Sequence, residues 1–185
     1  LSIKNKIIII GIGYVGLPLA VSLAKKGKVF GYDISKKKIN NLNRGFDSTN
    51  QFKAKDLKSK NLIFTNDINY ISKSNIIIVT VPTPVNRKNI PDLTDLKNAC
   101  SIIGKKIKIG STIIFESTVY PGLTEEICIK ILEKKSKLKW KKDFFVGYSP
   151  ERINPGDNNH VLKNITKLIS GDTKKTINLL KKIYS

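Results

Sequence analysis

Three glycines near the start of the chain, Gly11, Gly13 and Gly16, have the Gly-x-Gly-x-x-Gly spacing of a turn that can bind a pyrophosphate. Gly11 allows a tight turn, Gly13 lets the backbone approach a phosphate closely, and Gly16 lets the following helix pack on the preceding strand. The phosphates are expected at the N-terminus of that helix, where backbone N–H groups and the positive end of the helix dipole face them. The spacing predicts a dinucleotide site that includes Tyr14 and Val15.

An acidic residue, Asp33, follows the second predicted strand and indicates which dinucleotide is bound. A carboxylate at this position can accept hydrogen bonds from both ribose hydroxyls, which favours NAD over NADP. Lys36, Lys37 and Lys38 could instead attract a 2′-phosphate, but they begin a predicted helix over residues 35–42. An exposed helix face is the favoured interpretation of these lysines. NAD is the expected cofactor, with a glycine turn of no function as the alternative.

Strand and helix patterns alternate along the chain and predict how these residues are held. This alternation is typical of βαβ units, in which ligands lie at the carboxyl ends of the strands. The fold class we expect is α/β, a Rossmann-type doubly wound, mainly parallel sheet with helices on both faces. Strand patterns cover residues 7–10, 28–32, 61–65, 75–81, 112–116, 144–147 and 167–170; helical patterns cover 17–25, 35–42, 67–72, 92–106, 123–134 and 173–184; residues 43–60 are expected to be irregular or briefly helical.

Composition limits the function classes. The chain has 185 residues, of which 40% are apolar, enough for one sizeable core. Its net charge of +20 is typical of a nucleic-acid-binding protein. However, Arg44, Arg87 and Arg152 are the only arginines, and the lysines are spread along the chain apart from a cluster at residues 134–142, which we interpret as an exposed helix end and loop. No nucleic-acid partner is expected, although a basic binding module with a Rossmann scaffold remains the alternative, which the salt dependence of binding would distinguish.

Membrane insertion, disulfide bonds and metal binding are also not expected. No apolar stretch reaches the roughly 18 to 20 residues that cross a bilayer. Cys100 and Cys128 lack paired spacing, and the chain has one histidine. We interpret both cysteines as small buried residues on helices, and we expect a cytoplasmic location.

Four segments at strand ends together resemble a known family. They are residues 11–20 (GIGYVGLPLA), 81–85 (VPTPV), 116–126 (ESTVYPGLTEE) and 147–157 (GYSPERINPGD). In this order, over nearly all of the chain, they resemble the N-terminal NAD-binding domain of the UDP-glucose/GDP-mannose dehydrogenase family. The last two segments are most similar to the bacterial UDP-N-acetyl-hexosamine 6-dehydrogenases.

The resemblance implies an activity and roles for particular residues. Such enzymes oxidise the C6 alcohol of a UDP-sugar to a carboxylate in two steps, with two NAD and a cysteine thioester, and supply surface polysaccharides. Thr118 matches the threonine that orders a water, and Glu151 matches the glutamate that activates it. Thr118 capping a turn and Glu151 pairing with Arg152 on a surface loop are the alternatives. The implied cofactor-binding residues also include Thr80, Val81, Pro82 and Thr83, and the implied substrate-binding residues are Glu151, Arg152 and Asn154.

Two departures from the family pattern qualify this resemblance. Pro155 replaces a second acid of the UDP-glucose branch, which favours an acetamido sugar. UDP-glucose, GDP-mannose and 6-phosphogluconate-type β-hydroxyacid dehydrogenases remain alternatives. The family's catalytic cysteine, lysine and asparagine would lie beyond residue 185, and neither Cys100 nor Cys128 matches the cysteine motif. Residues 1–185 are therefore expected to be the NAD-binding fragment of a homodimeric enzyme, without its central dimer helix and C-terminal UDP-sugar-binding domain, and inactive alone.

Overall fold

Seven strands form one sheet in the computed structural model, which describes residues 6–151 and 167–185. The strand order is β3-β2-β1-β4-β5-β6-β7; the first six strands are parallel, and β7 pairs antiparallel with β6. This confirms the doubly wound Rossmann-type sheet expected from the sequence. The strands are β1 Ile7–Ile10, β2 Val29–Tyr32, β3 Leu62–Thr65, β4 Ile76–Val79, β5 Thr112–Phe115, β6 Phe145–Tyr148 and β7 Ser170–Gly171.

The direction in which successive strands are added to the sheet reverses at β1, which pairs with β2 on one side and with β4 on the other. Ile8 lies in register with Phe30 in β2 and with Ile77 in β4. At such a reversal the loops leaving the two central strands diverge to opposite faces and open a crevice. The glycine turn leaves β1 at this point.

Helices cover both faces of the sheet. The helix expected over residues 123–134 forms, but its first part is a π-helical segment, Thr124–Ile129. The later part ends at Ser136, where Lys137 adopts a left-handed conformation with φ of 63°. The α-helices are α1 Gly16–Ala24, α2 Lys36–Asn43, α3 Ala54–Leu57, α4 Asn69–Ser72, α5 Thr94–Gly104, α6 Lys130–Ser136 and α7 Lys174–Tyr184.

Two apolar cores lie on opposite faces of the sheet because neighbouring side chains of a strand point to opposite faces. Ile7 and Ile9 belong to the core under α1, α2 and α7. Ile8 and Ile10 belong to the core under α5 and α6. Burial on both faces explains why β1 is a continuous isoleucine run.

Both cysteines are buried in the second core, as the sequence predicted, with Cys100 on α5 and Cys128 in the π-helical segment. Their thiols contact each other, and this contact together with burial raises the pKa of Cys100.

Within residues 6–151 and 167–185, no helix has the length and apolar character needed to span a bilayer.

Candidate functional site: a cleft at the carboxyl ends of the strands

A cleft of about 350 Å³ lies where β1, β4 and β5 end. It brings together every predicted cofactor-binding residue except Gly16, and it also contains Glu151. It further contains three residues that the sequence analysis did not assign to the site. Its lining is Gly11, Gly13, Tyr14, Val15, Asp33, Lys38, Thr80, Val81, Pro82, Thr83, Glu116, Ser117, Thr118 and Glu151.

The three glycines of the turn have different surroundings. Gly11 has a φ of 97°, a conformation that favours glycine. A Cβ on Gly16 would lie 2.0 Å from the Gly11 carbonyl oxygen and 2.5 Å from Thr80 Oγ1, so this residue serves the close packing of α1 behind the cleft. A Cβ on Gly13 would meet nothing within 4 Å. Gly13 therefore faces open space, where a ligand can approach the backbone.

The N-terminus of α1 opens beside this turn. Val15 precedes the helix, and in the described part of the chain no side chain caps it by a hydrogen bond. Pro18 lies in the first turn, where the absence of a backbone N–H costs no helical hydrogen bond. A helix start without a side-chain cap leaves its backbone donors and dipole for an anionic ligand.

Asp33, at the end of β2, is 6% exposed and organises the edge of the cleft. Its carboxylate accepts hydrogen bonds from the Ile12 backbone N–H at 3.1 Å and from the Ser35 backbone N–H at 2.9 Å. Lys38 Nζ lies 2.7 Å from Asp33 Oδ2. Asp33 thus connects the glycine turn to the start of α2 and keeps its carboxyl group at the cleft.

The contact between Lys38 and Asp33 corrects part of the sequence interpretation. Lys36 and Lys37 are exposed, as expected for a solvated helix face, but Lys38 is half-buried and lines the cleft. Ser35 caps α2 by accepting from the Lys38 backbone N–H at 3.2 Å, so the helix begins with Lys38 in its first turn. This start directs the Lys38 side chain back to Asp33.

Hydroxyl groups join the three loops that form the cleft. Thr80 Oγ1 donates to the Gly11 carbonyl at 2.7 Å, and Ser117 Oγ donates to the Val81 carbonyl at 2.6 Å. Thr83 Oγ1 donates to the Thr118 carbonyl at 2.6 Å. We call these three hydrogen bonds the hydroxyl ties. They connect the loops after β1, β4 and β5 in sequence across the sheet.

The two residues predicted to be catalytic lie in the same cleft. Thr118 is exposed in the loop after β5, and its carbonyl accepts the hydrogen bond from Thr83 Oγ1. Glu151 lies beyond the end of β6, and its side chain is 9% exposed. Arg152 and Asn154, the other predicted substrate-binding residues, lie outside the described residues.

A buried group of polar side chains lies beside Glu151, and the sequence analysis did not predict it. Lys167 Nζ is 2.9 Å from Glu151 Oε2 and 2.6 Å from Glu116 Oε2. Tyr184 donates its hydroxyl to Glu116 Oε1. Burial raises the pKa of Glu116 to about 7, although Lys167 and Tyr184 act in the opposite direction. Glu116 could have been suspected from its position directly after a buried strand, whereas nothing local marked Lys167 or Tyr184.

Four surface cavities larger than this cleft are found elsewhere in the described part of the chain, and two of them are considerably larger. One, of about 690 Å³, is at the opposite edge of the sheet, where β4, β5 and β6 begin, and the other, of about 650 Å³, lies beside β6 and β7. Neither contains the glycine turn or the carboxylates of the smaller cleft. Chemistry and the position at the strand ends, rather than volume, therefore favour the smaller cleft as the candidate functional site.

The fold and the cleft together define a dinucleotide-binding Rossmann domain. The open space at Gly13, the α1 N-terminus and the Asp33 carboxylate fit the pyrophosphate and ribose of NAD. The family model for the NAD binding domain of the UDP-glucose/GDP-mannose dehydrogenase family matches residues 5–185. The chain belongs to this family, and its cofactor is NAD.

Curated relatives and solved structures agree with this assignment. The chain is 49% identical to a UDP-N-acetyl-D-glucosamine 6-dehydrogenase from Pseudomonas aeruginosa, over 97% of the chain and 43% of that protein. It is 47% identical to one from Salmonella typhi, over 97% of the chain and 42% of that protein. A UDP-D-ManNAc dehydrogenase structure from Pyrococcus horikoshii superposes with a TM-score of 0.87 at 32% identity, covering 97% of this chain and 44% of that one. The chain thus spans less than half the length of these relatives.

Proposed function

We propose that this chain forms the NAD-binding half of a nucleotide-sugar 6-dehydrogenase, an enzyme that oxidises the C6 alcohol of a UDP-N-acetyl-hexosamine to a carboxylate. The observation that carries the proposal is the cleft itself, which places the glycine turn and Asp33 beside Thr118 and Glu151. The two relatives named as UDP-N-acetyl-D-glucosamine 6-dehydrogenases support the acetamido sugar. The product would serve surface polysaccharides, and the enzyme would work in the cytoplasm as a homodimer.

The residues of the cleft have distinct roles in this proposal. NAD, when bound, accepts the hydride that the sugar carbon loses. Gly13 and the α1 N-terminus would hold the pyrophosphate, and Asp33 would accept hydrogen bonds from the ribose. Thr118 orders a water, and Glu151 removes a proton from it. That water oxygen then forms a bond to the thioester carbon, and the bond from this carbon to the cysteine sulfur breaks. The cysteine belongs to the rest of the enzyme, as do further groups that bind the sugar.

Glu151 suits the role of a base because it is held but not neutralised completely. Lys167 Nζ lies 2.9 Å from Glu151 Oε2 and also contacts Glu116, so the two carboxyl groups share one ammonium. A single ammonium between two carboxylates orients Glu151 and leaves it able to accept a proton. Arg152 and Asn154 would extend this edge toward the substrate.

A calorimetric titration of the chain with NAD and, separately, with NADP tests the proposal. We expect saturable NAD binding that persists from low to moderate salt, with weaker binding of NADP. A nucleic-acid-binding module would instead bind an oligonucleotide with an affinity that falls steeply as salt increases, because counterions are released. Absence of NAD binding by a chain whose circular-dichroism melt shows a folded protein would contradict the proposal.

A turnover assay tests the division of the active site. With a UDP-sugar and NAD, the chain alone is expected to produce no NADH, measured by absorbance, because the proposed nucleophile lies outside it. A relative that is itself a UDP-N-acetyl-hexosamine 6-dehydrogenase, assayed in parallel, shows that the substrate can be oxidised under the same conditions. Sustained NADH production by this chain would place the catalytic group within its 185 residues and overturn the proposed division.

A further inference from the structure

Two carboxyl groups and one ammonium form a small charge cluster at the base of the cleft. Glu116, directly after β5, is 1% exposed. The Lys167 side chain, 9% exposed, bridges it to Glu151 with N–O distances of 2.6 and 2.9 Å. The cluster therefore joins a residue proposed to act on water with a more deeply buried acid.

Each oxygen of the Glu116 carboxyl group has a partner from a different part of the chain. Lys167 contacts Oε2, and the hydroxyl of Tyr184, near the end of α7, donates to Oε1. The Lys167 ammonium also lies 5.3 Å from the centroid of the Tyr184 ring. Burial and the neighbouring Glu116 charge raise the pKa of Tyr184, so its hydroxyl keeps its proton and can donate. These contacts fix the orientation of Glu116 relative to Glu151.

The cluster has one more acidic group than its single ammonium can neutralise. Two buried carboxyl groups that share one ammonium cannot both ionise easily, which favours a single proton held between them. A hydrogen bond with Glu151 adds to burial in raising the pKa of Glu116 to about 7, whereas Lys167 and Tyr184 lower it. Lys167, Tyr184 and Glu151 are the ionisable groups that face Glu116 in the described chain.

We propose that Glu116 and Glu151 are a proton-sharing pair, in which Glu116 accepts the proton that Glu151 removes from water, and that Lys167 and Tyr184 position this pair. The role of Glu151 rests on the function proposed above; the sharing itself does not. The water O–H bond breaks and its proton goes to Glu151, which passes it to the Glu116 carboxylate. Glu151 thereby recovers its charge, and the cluster changes from a net charge of −1 to zero.

This proton step has a defined pH dependence. Glu116 can accept a proton only when it is ionised, which requires a pH above its pKa of about 7. As the pH falls through this value, Glu116 is already protonated and Glu151 has no internal acceptor. The pair therefore works best on the alkaline side of neutrality.

The test is a pH titration of the chain with ¹³C-labelled glutamate carboxyl groups, followed by NMR. Glu116→Gln identifies the Glu116 signal by its loss. In the unsubstituted chain this signal should titrate near pH 7, and Glu151→Gln should lower its midpoint because a coupled acid has been removed. A Glu116 midpoint that is the same in both proteins would overturn the proposal.

Variants of Lys167 test the positioning role. Lys167→Met should raise the Glu116 midpoint by about one pH unit or more, because an opposite charge has been removed. Lys167→Arg keeps the charge and should restore the midpoint. Where Lys167→Met does not fold, as judged by circular dichroism, Tyr184→Phe replaces it, and the loss of one hydrogen bond should raise the midpoint by a smaller amount. A midpoint that neither variant changes contradicts the positioning role.

The calorimetric titration with NAD separates this proposal from the function. Coupled titration without NAD binding would support the carboxyl pair and contradict the proposed enzyme function. NAD binding without coupled titration would support the cofactor domain and contradict the carboxyl pair.

Discussion

Asp33 shows how one carboxylate can serve both the fold and the ligand. It holds the Ile12 and Ser35 backbone N–H groups while Lys38 contacts Oδ2. A carboxylate can accept about four hydrogen bonds, so acceptor capacity remains for a ribose hydroxyl. The residue therefore supports the glycine turn and keeps acceptor capacity for the ribose that we propose it binds.

Removal of this carboxylate should weaken the cofactor complex. We expect Asp33→Ala to reduce NAD affinity by about 1 to 3 kcal/mol, since hydrogen bonds to a charged acceptor are lost. Calorimetry measures the change, and Asp95→Ala, at an exposed position in the first turn of α5, is the control. An unchanged affinity would remove Asp33 from the ribose site.

Lys38 should affect the choice between NAD and NADP. Its ammonium lies on Asp33 and offsets the repulsion between that carboxylate and the 2′-phosphate of NADP. Lys38→Met should therefore weaken NADP binding more than NAD binding. Lys37 is an exposed neighbour on the same helix, and Lys37→Met should not change the ratio of the NAD and NADP dissociation constants. Equal effects of the two substitutions on the ratio of the dissociation constants would show that Lys38 has no such role.

Two glycines of the turn should respond differently to the same added methyl group. In Gly16→Ala the Cβ would lie 2.0 Å from the Gly11 carbonyl oxygen, so α1 cannot keep its position and the melting temperature should fall. In Gly13→Ala the Cβ meets nothing within 4 Å, so the fold should persist while NAD binding is lost. Thermal melts and calorimetry on both variants measure these effects. NAD binding by Gly13→Ala at full strength would exclude close approach of the pyrophosphate there.

At the scale of elements, Asp172 joins three parts of the fold. Its Oδ2 accepts from Trp140 Nε1 at 2.8 Å and from the Val146 backbone N–H at 2.7 Å. Its Oδ1 accepts from Thr176 Oγ1, in the first turn of α7, at 2.7 Å. A single carboxylate thus connects β6 with α7 and with the loop before β6. Tyr184, which donates to Glu116, lies at the far end of the same helix.

Loss of this connection should destabilise the domain. We expect Asp172→Ala to lower the free energy of unfolding by about 1.5 to 3 kcal/mol, because donors near a buried site lose a charged acceptor. Urea denaturation followed by circular dichroism measures it. Asp143→Ala, which removes an exposed loop carboxylate, should cost less. A smaller effect for Asp172→Ala than for Asp143→Ala would show that α7 docks without this residue.

The elements also show which parts of the site a sequence can predict. The placement of the glycine turn and Asp33 at the cleft was predictable because it depends on local spacing after short apolar strands. Lys38 was assigned to an exposed face because its contact depends on where α2 begins, which the Ser35 cap determines. Lys167 meets Glu116 only because the segment before β7 returns to the end of β5, and no local pattern marks a contact between positions so far apart in the chain. The π-helical segment likewise has no sequence signature that separates it from an α-helix.

At the scale of the whole molecule, the buried Glu116 should make stability depend on pH. Its pKa is raised from an ordinary value of 4.5 to about 7, so between these values the folded chain holds a proton that the unfolded chain releases. The stabilising contribution of Glu116 to the free energy of unfolding is therefore at its maximum below pH 4.5. It falls as the pH rises to about 7, by an amount on the order of 3 kcal/mol.

A comparison of variants isolates this contribution from that of other acids. The difference in unfolding free energy between the unsubstituted chain and Glu116→Gln should decrease from pH 4.5 to pH 7, as measured by denaturation at several pH values. Glu125→Gln, at an exposed position, should give a difference that does not change with pH. A constant difference for Glu116→Gln as well would mean that Glu116 ionises normally in the folded state.

The three hydroxyl ties have a consequence for the thermodynamics of binding. Because Thr80, Ser117 and Thr83 join the loops after β1, β4 and β5, these loops are already ordered relative to one another before a ligand arrives. A cofactor that enters a pre-ordered cleft loses little affinity to the entropy of arranging its binding loops. The glycine turn at one end of the cleft and Thr118 at the other are therefore connected through the protein itself, and we expect a cofactor bound at the first to face the second in a single orientation.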